Sequence, residues 1–334
     1  MLTPAMWFKA LRLIPRVSRA EWDGLDVVSR WLVATRAAVL VMTAVSAVIG
    51  GLLALKGASF SPLSFALCVL GLCLAHATNN LVNDLTDHVK GVDKDNYFRT
   101  QYGPHPLEHG LMSFRQMLVY AAVTGSVALL CGGVLVWQTG AVTLTLLAAG
   151  AFFVLFYTWP LKHIGLGEPA VLVVWGPLMV GGTHYVVTGG VWSDEVTLIS
   201  LVYALGPTTV LFGKHTDKLV PDKAKGIRTM PVLLGEALSR YVVIAMAAGQ
   251  LVCTLGLIVI GWLGWPLLVV VLSLPTLVQL LRVYSKPRPD ERPDEFPVEA
   301  WPTYLSAYAF VHTRRFGVLF LLGLILDVAP SALG

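Results

Sequence analysis

Residues 62–93 read PLSFALCVLGLCLAHATNNLVNDLTDHVKGVD, and the passage from apolar to acidic within them decides the fold. No charged side chain interrupts Pro62–Ala75, and the run continues long enough for a helix to cross a bilayer, so a span is predicted over 62–84. At its end Asn80, Asn83, Asp84 and Asp87 occupy positions i, i+3, i+4 and i+7, which is one face of a helix. Polar groups at membrane depth are costly and mark a pathway or a site, so this stripe is expected to face the interior of a helical bundle.

The rest of the chain supplies the bundle. Of its 334 residues 56% are hydrophobic and 13% charged, with a mean hydropathy of +0.71, which does not describe a water-soluble surface. Hydrocarbon offers backbone N–H and C=O groups no partner, so the apolar stretches must be helices. Spans are predicted at 32–54, 62–84, 115–137, 139–158, 168–189, 196–216, 239–262, 266–284 and 316–332. Turn formers such as Lys56-Gly57, Thr139-Gly140, Gly189-Gly190 and Gly264-Trp265-Pro266 separate them. The expected fold is an all-α polytopic membrane protein, nine transmembrane helices around a central cavity. Residues 1–31 form an N-terminal segment and 32–334 one membrane domain. Three longer charged connections remain, at 85–114, 217–238 and 285–315.

Charge placement orients this fold. With the N-terminus in the cytoplasm and the C-terminus outside, every Lys and Arg except Lys56 falls in a cytoplasmic segment or, for Arg36, in the cytoplasmic half of the first span. The net charge of +4 is this sidedness meeting anionic lipid, and no nucleic-acid partner is expected. Trp7, Phe8, Leu11 and Ile14 alternate with Lys9, Arg12 and Arg16, as in a helix lying in the membrane interface, and no cleavable signal peptide is expected. The four cysteines, Cys68, Cys73, Cys131 and Cys253, fall within spans without metal-binding spacing and read as packing residues.

Carboxylates beside carboxamides suit a hard cation, and Mg²⁺ is held by few protein carboxylates together with substrate phosphates. Asp84, Asp87 and Asp93 are the first candidates. The sixth span ends in a second acidic cluster, Asp217 and Asp222, predicted on the same cytoplasmic face. Two clusters on non-adjacent spans can converge on metal ions that bridge one diphosphate. Asn80 and Asn83, with Arg36, Arg99, Lys214, Lys225 and Arg228, are candidates to hold the substrate, although basic residues there also satisfy the positive-inside rule. After the fourth span, Tyr157 and Lys162 can donate to a phosphate oxygen, with an aromatic-belt anchor as the other reading of Tyr157. Trp175, His184 and Tyr185 are candidates to face a cation or acceptor, against an ordinary packing role for each.

These residues resemble the UbiA superfamily of intramembrane prenyltransferases, most closely the branch that acts on dihydroxynaphthoate. The resemblance runs from about Arg36 to the end. Its first motif, Asn-Asp-x-x-Asp-x-x-x-Gly-x-Asp, is matched by Asn83, Asp84, Asp87, Gly91 and Asp93, with Gly91 characteristic of the naphthoate branch. Tyr-Thr-x-Pro is matched by Tyr157, Thr158 and Pro160, and Gly-Leu-Gly-Glu by Gly165 to Glu168. The second motif, Asp-x-x-x-Asp-x-x-x-Gly-x-x-Thr-Leu, is matched in part. Asp222, Gly226 and Thr229 align, but Asp217 stands five residues before Asp222, which implies one extra residue around Pro221. Met230 replaces Leu, and Gly213-Lys214-His215 stands where the naphthoate enzymes carry Asn-Asn-x-Arg.

The resemblance implies ionisation of an allylic isoprenyl diphosphate with Mg²⁺ on the leaving group, and capture of the cation by an aromatic acceptor such as a dihydroxynaphthoate-like acid. Asp87, Asp222, Lys162 and Tyr157 are then the expected catalytic residues. The tail needs an apolar groove, and the loops 85–114 and 217–238 are expected to cap the diphosphate. A terpene cyclase, in which the substrate's own double bond captures the cation, shares these motifs. An ion-coupled transporter fits less well, because its site belongs near the bilayer midplane.

Overall fold

The computed structural model describes residues 2–333 apart from 58, 95–97 and 99–102, and among the described residues it is all helical. Arg99 therefore lies outside the described residues. The N-terminal segment forms three short helices, α1 (Pro4–Arg12), α2 (Arg19–Asp23) and α3 (Val27–Ala34). A 3₁₀ turn then leads into α4 (Leu40–Ala54), followed by α5 (Pro62–Val89), α6 (Phe114–Thr139), α7 (Ala141–Phe156) and α8 (Gly167–Val187). The remaining elements are α9 (Asp194–Asp217), the short α10 (Leu219–Ala224) and α11 (Met230–Leu234), α12 (Glu236–Val259), α13 (Trp265–Tyr284) and α14 (Tyr304–Leu333).

Among the described residues, eight helices have the length and apolarity to cross a membrane. α7 is the ninth apolar helix but has 16 residues, about 24 Å of rise. The last helix corrects the sequence reading: it starts at Tyr304, not near 316, because the mixed stretch before Arg314 continues the helix beyond its apolar part. The predicted 85–114 and 217–238 connections also shorten, since α5 runs on to Val89 and α10 and α11 fold within the second.

Local chemistry sets the helix starts. Ser61 accepts from the Ser64 N–H with Pro62 at the first turn of α5, and Ser113 with Gln116 forms a capping box on α6. Inside the bundle small residues bring backbones together: a Cβ on Gly50 of α4 would sit 2.5 Å from the Val180 carbonyl of α8. α8 breaks its helical path at Gly176, ahead of Pro177.

Two large apolar cores form among the described residues. One joins α4, α8, α9 and α12–α14 through side chains such as Ile49, Ile199, Leu267 and Phe316. The other packs Ala10 and Trp22 of the N-terminal segment with Leu81, Met112 and Met117 of α5, α6 and the loop between them. The N-terminal segment is thus seated on the bundle. Asp26 secures it, accepting from the Thr3 and Ser29 hydroxyls, from both their backbone N–H groups and from the Trp7 indole. Outward apolar side chains such as Trp137, Val252 and Val259 present a surface suited to lipid.

Candidate active site

The C-terminal ends of α5 and α9 and the 157–166 turn close around a cavity of about 1340 Å³, counted to its open mouth. Its wall includes Arg36, His76, Asn79, Asn80, Asn83, Asp87, Asp93, Tyr157, Lys162, Trp175, Lys214, His215 and Lys218. α5 contributes Asn80, Asn83 and Asp87 because 3.6-residue periodicity stacks them on one face. A second cavity, about 1020 Å³ and almost wholly apolar, lies between α5, α6, α7 and α8. Leu72, Ala75, Leu146, Gly150, Val154 and Leu178 wall both.

Each acidic side chain here carries its own partner. The Lys162 ammonium donates to both oxygens of Asp87, at 2.9 and 3.0 Å. Arg36 lies 3.3 Å from Asp84, which is 1% exposed and sits behind the cavity wall. Arg36 also donates to the Asn80 carbonyl at 3.0 Å, while Asn80 donates back to the Thr35 carbonyl. His105 accepts at Nδ1 from the Glu108 N–H, so Nε2 carries the proton given to Asp93, 2.9 Å away. Glu168 meets His215 Nδ1 at 2.6 Å.

The 157–166 turn is tied to α5 by Thr158, which donates to Asn83 Oδ1 at 3.0 Å, while His163 Nδ1 donates to the Thr158 carbonyl at 3.0 Å. Burial and then the neighbouring Lys162 charge hold the His163 imidazole below its ordinary pKa. His76 bonds Thr43 at 2.7 Å and meets the Trp175 ring edge-on at 5.3 Å.

The second acidic cluster departs from expectation. Asp217 does not line the cavity; its carboxylate accepts from the Leu305 and Ser306 N–H groups, the Ser306 hydroxyl and Arg288 Nε, all within 3.0 Å. The Asp222 N–H bonds the Lys218 carbonyl at 2.8 Å, so Lys218 is the residue one turn before Asp222 and pairs with it at 3.3 Å. Asp222 is fully buried behind Lys218. Lys214 faces the cavity, whereas Lys225 and Arg228 do not line it and are exposed. Lys225 instead ties the segment after α10 to the chain beyond α5, donating to the Val92 and Lys94 carbonyls.

Trp175 lines the cavity, whereas His184 and Tyr185 are buried outside it, Tyr185 in an apolar cluster with Cys68 and Val186. Sequence reasoning missed His76, His105, His215 and Lys218. For Lys218 the signal was present in its four-residue spacing from Asp222; His105 carried none. Among the described residues no three His, Cys, Asp or Glu side chains gather closely enough to hold a metal unaided.

Comparison with known proteins is consistent across sequence and structure. The chain is 30% identical over 242 residues to UbiA prenyltransferase domain-containing protein 1 of Danio rerio, covering 68% of each chain. It is 29% identical over 235 residues to the 1,4-dihydroxy-2-naphthoate octaprenyltransferase of Escherichia coli (strain K12), covering 67% of this chain and 74% of the other. Its fold matches a UbiA homolog from Archaeoglobus fulgidus, solved bound to DMAPP and Mg²⁺, with a TM-score of 0.57 at 14% identity, covering 87% of this chain and 98% of that one. The model of the UbiA prenyltransferase family matches residues 43–325. With its apolar bundle and the cavity that the bundle encloses, the chain is a multi-pass membrane protein and an enzyme, a member of the UbiA prenyltransferase family.

Proposed function

We propose that this prenyltransferase moves the prenyl group of an isoprenyl diphosphate onto an aromatic acceptor of the dihydroxynaphthoate type, a quinone precursor, with Mg²⁺ as cofactor. The observation that carries this reading is the junction of two cavities, one walled by charged and carboxamide side chains and one apolar, with six residues common to both. The first suits a diphosphate and the second a prenyl tail. The naphthoate enzyme of E. coli supplies the acceptor class by likeness.

The donor set fits Mg²⁺. Asp87, Asp93 and the Asn83 carboxamide present hard oxygen atoms to one space, and too few of them for a closed protein cage, which is the situation in which Mg²⁺ shares its ligands with substrate phosphates. Asp87, Asp93 and Asn83 would hold the ion, with Asp84 and Asp222 supporting from behind the wall. Bound Mg²⁺ supplies positive charge to the oxygens of the departing diphosphate.

The chain's own residues do the rest. Lys162, Lys214 and Arg36 present cations to the diphosphate, and Tyr157 donates to an oxygen as the allylic C–O bond breaks. The pair of electrons leaves with the diphosphate. Trp175 and the apolar wall keep water from the allylic cation, and its capture by an acceptor ring carbon releases one proton. We place this site at the cytoplasmic face of nine spans, the N-terminus inside, because that arrangement retains the Lys and Arg residues on one side.

Purified protein, incubated with a panel of isoprenyl diphosphates with and without aromatic acids, tests the reading by mass spectrometry of the lipophilic products. Acceptor- and Mg²⁺-dependent prenylated product supports it. Cyclic hydrocarbon or alcohol formed without acceptor would replace it with a cyclase.

A further inference from the structure

We infer that Lys218 is a resident cation of the diphosphate site, so that the cavity holds an isoprenyl diphosphate before a divalent ion arrives and needs fewer such ions than its acidic motifs suggest. The inference rests on the proposed function and adds a residue and a charge mechanism to it.

The geometry comes from the joint between α9 and α10. The Lys218 N–H still bonds the Lys214 carbonyl, at 3.2 Å, and the Asp222 N–H bonds the Lys218 carbonyl, at 2.8 Å. One helical turn therefore separates each of Lys214, Lys218 and Asp222 from the next. Lys214 and Lys218 both line the cavity. Asp217, one residue away and so rotated by about 100°, faces the start of α14 and is engaged there by four donors. At this step of the chain the ammonium of Lys218 lines the cavity and the Asp217 carboxylate is spent on α14.

Charge in the wall runs the same way. Among the described residues four cations, Arg36, Lys162, Lys214 and Lys218, line the cavity against two carboxylates, Asp87 and Asp93, while Asp84 meets Arg36 from behind the wall. Asp87 is already matched by Lys162, and Asp222 by Lys218 at 3.3 Å. Lys218 is 7% exposed. An ammonium held in so little water acts on a nearby anion through a low local dielectric. It also carries three donors on a flexible stem, so it can keep Asp222 and reach a phosphate oxygen together. A carboxylate at this position would do the opposite and require a metal ion before any phosphate could approach.

The test uses the full chain in detergent micelles and geranyl thiolodiphosphate, which resists ionisation. Calorimetry is run in EDTA and again in saturating Mg²⁺, on the wild type, Lys218→Gln, Lys218→Arg and Lys218→Asp. The wild type is expected to bind in EDTA. Lys218→Gln should weaken that binding by about tenfold or more and weaken binding in Mg²⁺ less, with Lys218→Arg restoring it. Lys218→Asp should bind only with Mg²⁺ and retain more Mg²⁺ per protein than the wild type, measured by metal analysis of the complex.

Equal affinity of wild type and Lys218→Gln in EDTA overturns the inference. If Lys218→Gln does not remain monodisperse, the wild type decides alone: binding in Mg²⁺ but none in EDTA overturns the inference and leaves the proposed function standing. Absence of binding even in Mg²⁺ removes both.

Discussion

Lys162 and Asp87, 75 residues apart in sequence, form a two-pronged ion pair with both side chains more than nine-tenths buried. The pair staples the turn after α7 to the polar face of α5. Removing the cation leaves a carboxylate in a nearly dry place, a change that typically costs about 3–5 kcal/mol. Lys162→Met should therefore lower the thermal midpoint in detergent markedly, and Mg²⁺ should restore part of the loss by taking over neutralisation of Asp87. A Lys162→Met melting curve identical with and without Mg²⁺ would show that the ion does not reach Asp87.

Asp87→Asn keeps the shape of the side chain and one ligand oxygen but removes the charge. Turnover should fall by about two orders of magnitude, the scale on which one electrostatic contributor to a transition state acts. Diphosphate release at saturating Mg²⁺ checks this, once the variant is shown to be monodisperse.

Asp217 should separate from Asp87 in the same assay. Its carboxylate binds α9 to Arg288 and the first turn of α14, outside the cavity. Asp217→Ala should destabilise the bundle by roughly 3 kcal/mol, as loss of a buried, hydrogen-bonded charge does. The folded fraction should release diphosphate at a near-normal rate. A hundredfold loss of kcat in stable Asp217→Ala protein would return this residue to the metal site.

How far could the sequence alone have gone? The spans were legible because hydrocarbon leaves the backbone no alternative to the helix, and the acidic stripe of α5 because its periodicity is that of the helix itself. What escaped was rotation. Asp217 and Lys218 are adjacent letters, and the motif pattern favoured the carboxylate; the direction each side chain takes depends on how α9 continues into α10 through Lys218. His105 escaped for a different reason. It meets Asp93 through a loop fold that no local spacing encodes.

The apolar cavity yields a specificity test. A Cβ added at Gly150 meets nothing within 4 Å, and this residue walls both cavities. Gly150→Phe should fold normally and block the passage, shifting preference among isoprenyl diphosphates toward the shortest by about tenfold or more in kcat/KM, since binding of the excluded chain is lost. An unchanged preference would place the tail elsewhere.

Acid should release the N-terminal segment. Burial opposes the charge of Asp26, but hydrogen bonds from Thr3 and Ser29 outweigh it and hold the carboxyl well below its usual range. A group lowered in this way stabilises docking above its free value near 4 and loses that contribution as pH falls below it. Hydrogen exchange over residues 3–29 should rise as pH drops from about 4 to 2 after correction for intrinsic rates, and Asp26→Asn should show the raised exchange already at neutral pH.

Arg36 occupies the left-handed backbone region, at φ 56°, where the chain leaves α3 and enters the bundle. Few residues other than glycine tolerate that conformation, and here the strain is offset by a guanidinium pinned to Asn80 and Asp84. The same residue is thus an elbow and a wall of the cavity. Tilting the N-terminal segment against the bundle would pull on Asn80, so the seating of that segment reaches the cavity wall through a single side chain.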